Sequence, residues 1–334
     1  MKSRRTFTVT LIAIFSILPS VVPLSASAAT NATTPTVNNS TNTLKISPLR
    51  TDITIAAGQT DKVTVTVYNT TSSPIQLRAI ENDFTAGDEK GKPSLVLDTN
   101  SYAPTHSLKR FMVPLSNVTI PANSSANESV TIAVPKTAQA GGYFGALRFA
   151  PAIDATGKQV NLGASVVSLI LLTVPGPTVE KLSLTNFDVQ QNGGTASNFR
   201  TPTDLALLLR FENKGNLQEA PFGQVYIKKG SKVVYQYNFN QNNPKDVILP
   251  DSARRWTVPL KGFSKFGKYT VGGTFGYGNN GGNIDITKTI WIIPTTYILI
   301  IVGAIVLLAL ILGGSYVFLR SYKRKILRSS RRRY

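Results

Sequence analysis

Apolar and polar residues alternate along most of this chain with the period of a strand. In residues 62–68 the valines 63, 65 and 67 point one way while Thr64, Thr66 and Tyr68 point the other, which is how a half-buried strand reads. Comparable segments run over 75–80, 111–114, 129–134, 142–149 and 166–174. A second series follows at 182–189, 205–211, 223–227, 233–239, 254–259, 269–277 and 284–293. Clusters of Gly, Pro, Asn and Asp separate them, as turns require. No segment before Tyr297 has helical periodicity. The pattern predicts an all-β ectodomain of two tandem immunoglobulin-like β-sandwiches, residues 44–177 and 178–294, with Pro175-Gly176-Pro177 as a hinge.

The two ends break this pattern in different ways. Met-Lys-Ser-Arg-Arg leads into an uncharged apolar run over 9–24 that closes on Ala26-Ser27-Ala28-Ala29, the layout of a secretory signal peptide cleaved after Ala28. Residues 29–43 are mostly Thr, Asn, Ser, Ala and Pro, too polar to bury a core, and read as a disordered leader. Residues 297–319 carry no charge, and 23 residues at about 1.5 Å rise reach about 35 Å, enough to span a bilayer. Trp291 and Tyr297 flank this run on one side and Tyr316 and Tyr322 on the other, at headgroup level, so the transmembrane segment is placed at 295–319. The tail, 320–334, holds eight Lys and Arg and no acidic residue. By the positive-inside rule it is cytoplasmic, with the ectodomain outside a cell membrane crossed once. A basic run that starts directly at a membrane helix, with no folded domain around it, is not a nucleic-acid site.

Charge and composition narrow the function. Three basic residues fall in the signal and eight in the tail, so 25 face 17 acidic residues across the ectodomain, an excess of +8 rather than the +19 of the whole chain. Most of that excess follows Pro177 and reads first as a solvated surface with spare lysines, which could also meet an anionic wall polymer by weak attraction. Cysteine is absent, which excludes a disulfide framework, a thiol nucleophile and a zinc–thiolate site. A cysteine-free exported chain points to a bacterium. The one histidine, His106, has no metal-ligand partner in register. The acidic stretch from Glu81 to Glu89 could offer oxygens to calcium, but its spacing is not that of an EF-hand. No phosphate loop or dinucleotide fingerprint is present, so no cofactor, metal or enzymatic activity is expected.

The chain resembles the WxL-interacting protein family of bacterial surface proteins over nearly its whole mature length. In the first half the resemblance rests on Ile46-Ser47-Pro48, on Ala57-Gly58-Gln59-Thr60 leading into Val63 to Asn69, and on Gly141-Gly142-Tyr143-Phe144-Gly145-Ala146. In the second half it rests on Phe211-Glu212-Asn213-Lys214-Gly215-Asn216, Pro221-Phe222-Gly223, Leu249-Pro250 before Arg254, Gly267-Lys268-Tyr269 and Trp291-Ile292-Ile293-Pro294. The first half also looks like the N-terminal domain of pilus chaperones, a likeness of fold only. The WxL resemblance implies a membrane-anchored adhesion module whose first domain binds peptidoglycan and whose second engages host or surface protein partners. The alternatives are an anchored chaperone that offers a sheet edge to a partner strand, and a structural surface protein without a specific ligand. Loops over 84–93, 138–143 and 152–163 are longer or richer in Gly than hairpin closure needs, and within them Tyr143 and Phe144 are the candidate ligand-binding residues, aromatic faces suited to sugar rings. Strand alternation also requires that one of the two face a core.

Overall fold

The computed structural model describes residues 43–152 and 165–330. The signal peptide, the leader, the greater part of the 152–163 loop and the last four residues of the tail lie outside the described residues. The first sandwich contains β1 (Leu44–Ser47), β2 (Arg50–Thr54), β3 (Thr60–Asn69), β4 (Ile75–Ala86), β5 (Pro93–Leu95), β6 (Val118–Ile120), β7 (Ser124–Ala133), β8 (Gly141–Pro151) and β9 (Val166–Val174). The second contains β10 (Leu182–Gln191), β11 (Gly194–Thr195), β12 (Asn198–Phe199), β13 (Leu205–Asn213), β14 (Phe222–Lys229), β15 (Lys232–Phe239), β16 (Ser252–Pro259), β17 (Gly267–Tyr277) and β18 (Gly282–Ile292). One helix, α1 (Thr295–Ser330), follows. The protein is therefore all-β, two tandem sandwiches and one apolar C-terminal helix.

In the first sandwich a sheet ordered β1-β3-β7 faces a larger one ordered β2-β9-β8-β4-β5, with β6 also on β4. The chain changes sheets at Pro48: β1 runs antiparallel to β3, and β2 runs parallel to β9. Val63, Val65 and Val67 are buried as their alternation requires, beside Leu77, Leu147, Phe149, Ile170 and Leu172. In the second sandwich, sheets ordered β11-β10-β13-β16 and β12-β18-β17-β14-β15 enclose a core in which Phe211, Phe239, Phe275 and Trp256 meet edge to face or stacked, 5.2–6.0 Å apart. Such pairs add roughly 1 kcal/mol each beyond the area they bury.

One expectation needs correction. Residues 111–114 form no strand: Lys109–Phe111 is a 3₁₀ turn, and Met112 makes a single bridge to Ile132. Pro114 has no N–H to continue a ladder, and Phe111 packs on Tyr143 instead, ring centroids 4.8 Å apart. The helix runs past 319 through the first basic residues of the tail, since Arg and Lys are good helix formers. Its most apolar 18 residues have a mean hydropathy of 2.9, and the helix is long and apolar enough to cross a membrane.

Candidate functional site

The two halves share a seam in place of a free hinge, and the seam is built from the glycine- and asparagine-containing segments that stand out in the sequence. Gly142 N–H donates to the Asn216 carbonyl at 2.8 Å, Asn216 Nδ2 donates to the Ala140 carbonyl at 3.0 Å, and Gln218 Nε2 donates to Thr173 Oγ1 at 3.0 Å. Gly141 sits at φ +145°, and a Cβ there would stand 2.7 Å from the Asn216 carbonyl oxygen. Only glycine lets the two backbones approach this closely.

On the other side of the seam the β4–β5 hairpin is pinned to β16. The Glu89 carboxylate takes Arg210 Nε at 2.9 Å and Arg255 Nη2 at 2.8 Å, and its carbonyl accepts the Arg255 N–H at 2.6 Å. The Arg210 hydrogen bond is the main reason the Glu89 carboxyl lies below its usual range. A depressed carboxyl stabilises above its unfolded value and ceases to do so as pH falls through the lowered one, so these ion pairs hold at neutral pH and weaken in acid. Between the two riveted sides lies a small apolar cluster: Phe84, Phe144, Ala146 and Leu171 from the first sandwich against Val247 and Leu249 from the second. A cavity of about 190 Å³ borders it, lined also by Arg50 and Arg254. Ligand pockets run about 300–1,000 Å³, so this one has room for little more than a side chain. Both arginines are already engaged, Arg50 by Asp52 and the Lys245 carbonyl, Arg254 by Asp246 and the Val247 carbonyl.

The seam decides where the candidate ligand-binding residues fall. Phe144 is 3% exposed, enclosed in the seam cluster 5.9 Å from the Phe84 ring. Tyr143 points to the opposite face of β8, half-buried against Phe111, with its hydroxyl donating to the Gln139 carbonyl at 2.9 Å. Its solvent-facing part is what remains for a ligand. His106 packs beside both rings and its Nδ1 bonds the Gly142 carbonyl at 2.6 Å, which makes it a brace of the 103–112 loop.

The acidic stretch is likewise taken up in holding the chain. Asp83, wholly buried, accepts from Ala103 N–H, Ser107 Oγ and Lys109 N–H; Glu81 accepts from Leu115 N–H; Asp88 closes the hairpin turn through Lys90 and Lys92 N–H. Among the described residues no group of three His, Cys, Asp or Glu side chains is placed to hold a metal ion.

Glu219 is 2% exposed, and its Oε1 has no hydrogen-bond partner. Burial, reinforced by the nearby Glu180 charge, pushes its carboxyl up to about 7 from 4.5. A raised carboxyl contributes stability that is complete below its unfolded value and is lost as pH rises to 7. Glu219→Gln is therefore expected to stabilise the protein by on the order of 2 kcal/mol at pH 8 and by nothing below pH of about 4.5. Thermal unfolding across that range reads it.

Strand edges remain, because an unpaired edge is the one surface of a sandwich that can bind by backbone alone. β7 is edged with Ser124, Ser125, Asn127 and Ser129 and is met by Met112 and Val113; β16 is met by Glu89 and ends at Pro259; β2 is five residues long. These are ordinary protections against edge pairing. β15 differs. It is eight residues long, pairs only with β14, and exposes Val233 (47%) and Tyr237 (39%). A groove of about 160 Å³ separates it from β16, lined by Tyr237, Asn242, Trp256 and Thr257. Periodicity marks β15 as a strand, but only the topology makes it an edge.

No protein-family model and no curated protein matches this sequence. Among solved structures the chain is similar to the Class 5 fimbriae chaperone CfaA, with 12% identity, 75% of this chain and 99% of that one covered and a TM-score of 0.38. It is also similar to the E. coli chaperone DraB, with 15% identity, 75% and 98% covered and a TM-score of 0.32. For the Pseudomonas aeruginosa CupB2 chaperone the figures are 13%, 73%, 99% and 0.32. With TM-scores this low, the fold rests on the strand pairings described above and the likeness assigns no role.

Proposed function

We propose that this chain is a non-enzymatic binding protein of a bacterial cell surface, held at the membrane by α1 with its sandwiches outside, and that its second sandwich takes a strand of a partner surface protein along β15. The observation that carries the reading is an edge strand that pairs only with β14 and holds Val233 and Tyr237 in the open, to either side of Val234 and Tyr235, where Gly262 of the 259–268 turn packs on it. The resemblance to the WxL-interacting proteins supports it, since that family is thought to engage partner proteins through its second domain. The peptidoglycan role implied for the first domain then rests on Tyr143, because Phe144 is enclosed.

The test places a photo-reactive phenylalanine analogue at Gln236 of the full-length chain in its own cells, with Asn283 as the control position. Cross-linking of a surface protein at 236 and not at 283, abolished in a Val233→Lys, Tyr237→Lys double variant, is expected. If position 236 captures nothing while the same analogue at Tyr143 captures protein or wall fragments, the first sandwich is the binding body and the edge reading is wrong.

A further inference from the structure

The charges of the second sandwich are sorted along its length. At the end where β18 runs into α1, the turns over 192–204, 229–232 and 259–268 carry Arg200, Lys229, Lys232, Lys261, Lys265 and Lys268 against a single carboxylate, Asp204. At the opposite end, the turns over 178–181, 213–222, 240–252 and 277–282 carry three cations against four carboxylates. The ion pairs follow the same division. Arg210, Lys214, Arg254, Arg255 and Lys288 each meet a carboxylate, whereas none of the six cations at the α1 end does among the described residues. All six are exposed.

This end is also fixed close to the start of α1. Two residues, Ile293 and Pro294, separate β18 from the helix, and they are held in place: Ile293 N–H donates to the Phe199 carbonyl at 2.8 Å, and Tyr297 N–H to the Pro294 carbonyl at 3.1 Å. Phe266, 46% exposed at the tip of the 259–268 turn, stacks on Tyr297 in the first turn of the helix, ring centroids 5.0 Å apart, and Lys268 lies over the exposed Trp291 ring. Aromatic rings at a helix entry favour the headgroup layer, and cations beside them favour lipid phosphate.

We propose that this end of the second sandwich is a lipid-binding collar: Lys229, Lys232, Lys265 and Lys268 engage the phosphates of anionic phospholipids in the outer leaflet, and Phe266 and Trp291 enter the headgroup layer beside α1. The collar rests on the reading that α1 spans the membrane. It sets the body upright on a surface that selects for anionic lipid, so β15 is presented at a fixed height. The charge sorting and the aromatic joint are independent observations that point to the same occupant.

The chain lacks cysteine, so single-cysteine variants of the full-length protein take a spin label at one chosen site. Ser231→Cys places it in the turn between Lys229 and Lys232, and Asn279→Cys places it at the far end as a control. Each is reconstituted into vesicles of phosphatidylcholine alone or with one-third phosphatidylglycerol, and collisions with a water-soluble nickel complex are measured. At low salt, position 231 is expected to lose accessibility several-fold in the anionic vesicles only, and to regain it in 1 M salt or when Lys229, Lys232, Lys265 and Lys268 are all replaced by Gln; position 279 stays open throughout. Equal accessibility at 231 in both lipids overturns the collar, whether the label is open in both or shielded in both. Should the quadruple variant fail to fold, the salt arm decides alone. Flotation separates the two readings: a chain that does not float with vesicles refutes the membrane span itself, whereas one that floats with position 231 open refutes only the collar.

Discussion

Replacing Asp83 by alanine is expected to unfold the first sandwich at temperatures where the wild-type protein is native. Its carboxylate is wholly buried and gathers three donors from a loop whose only regular structure is the 3₁₀ turn at Lys109–Phe111: Ala103 N–H at 2.8 Å, Ser107 Oγ at 2.6 Å and Lys109 N–H at 2.8 Å. Alanine would leave all three without this partner, two of them buried and the Lys109 N–H half-buried. At roughly 1–3 kcal/mol for each unsatisfied group, the loss is about 4 kcal/mol, a large part of the 5–15 kcal/mol that holds a domain together. The expected fall in the unfolding midpoint is on the order of 10 °C or more, read by near-ultraviolet circular dichroism. A change within about 2 °C would mean that water replaces the carboxylate and that the loop is not hung from this residue.

The second large effect is expected at the seam. Gly141→Val puts a β-branched side chain at φ +145°, with its Cβ in the space of the Asn216 carbonyl, and the backbone of either sandwich must yield. The cost is about 3 kcal/mol and falls on the contact between the sandwiches, not on either core. The variant is expected to unfold in two resolved steps where the wild type unfolds in coupled ones, with faster proteolysis between residues 175 and 181. Glu89→Ala should act in the same direction more weakly, since its ion pairs are partly open to solvent. One coupled transition in Gly141→Val would show that the halves do not depend on this approach.

Both effects show how far the sequence could be read. The strands with clean alternation, β3 and β13 for example, are plain in the pattern because each buries one face in one core. The short ones are not: Arg50–Thr54 carries charge on its exposed positions and becomes a strand only because β9 accepts it, and β5, β6, β11 and β12 are two or three residues long. Residues 111–114 misled for the reverse reason, an apolar run of which only Met112 is buried, while Val113 and Pro114 stay exposed. For Tyr143 and Phe144 the alternation rightly sends the two rings to opposite faces. It does not foresee that the outer face of β8 is covered too, by Val247 and Leu249 from a segment a hundred residues away. The seam joins Gly142 to Asn216, and the free edge of β15 is a property of sheet order; neither leaves a local signal.

The account stands on a body held outside a membrane by α1, and labelling single cysteines tests this most directly. Asn279→Cys and Ser329→Cys variants are expressed in wall-stripped cells and treated with a membrane-impermeant maleimide. Position 279 should react on intact cells and position 329 only after lysis, with both chains remaining in the membrane pellet after alkaline carbonate washing. Reaction at 329 on intact cells, or release of either chain by wall digestion without detergent, would contradict it.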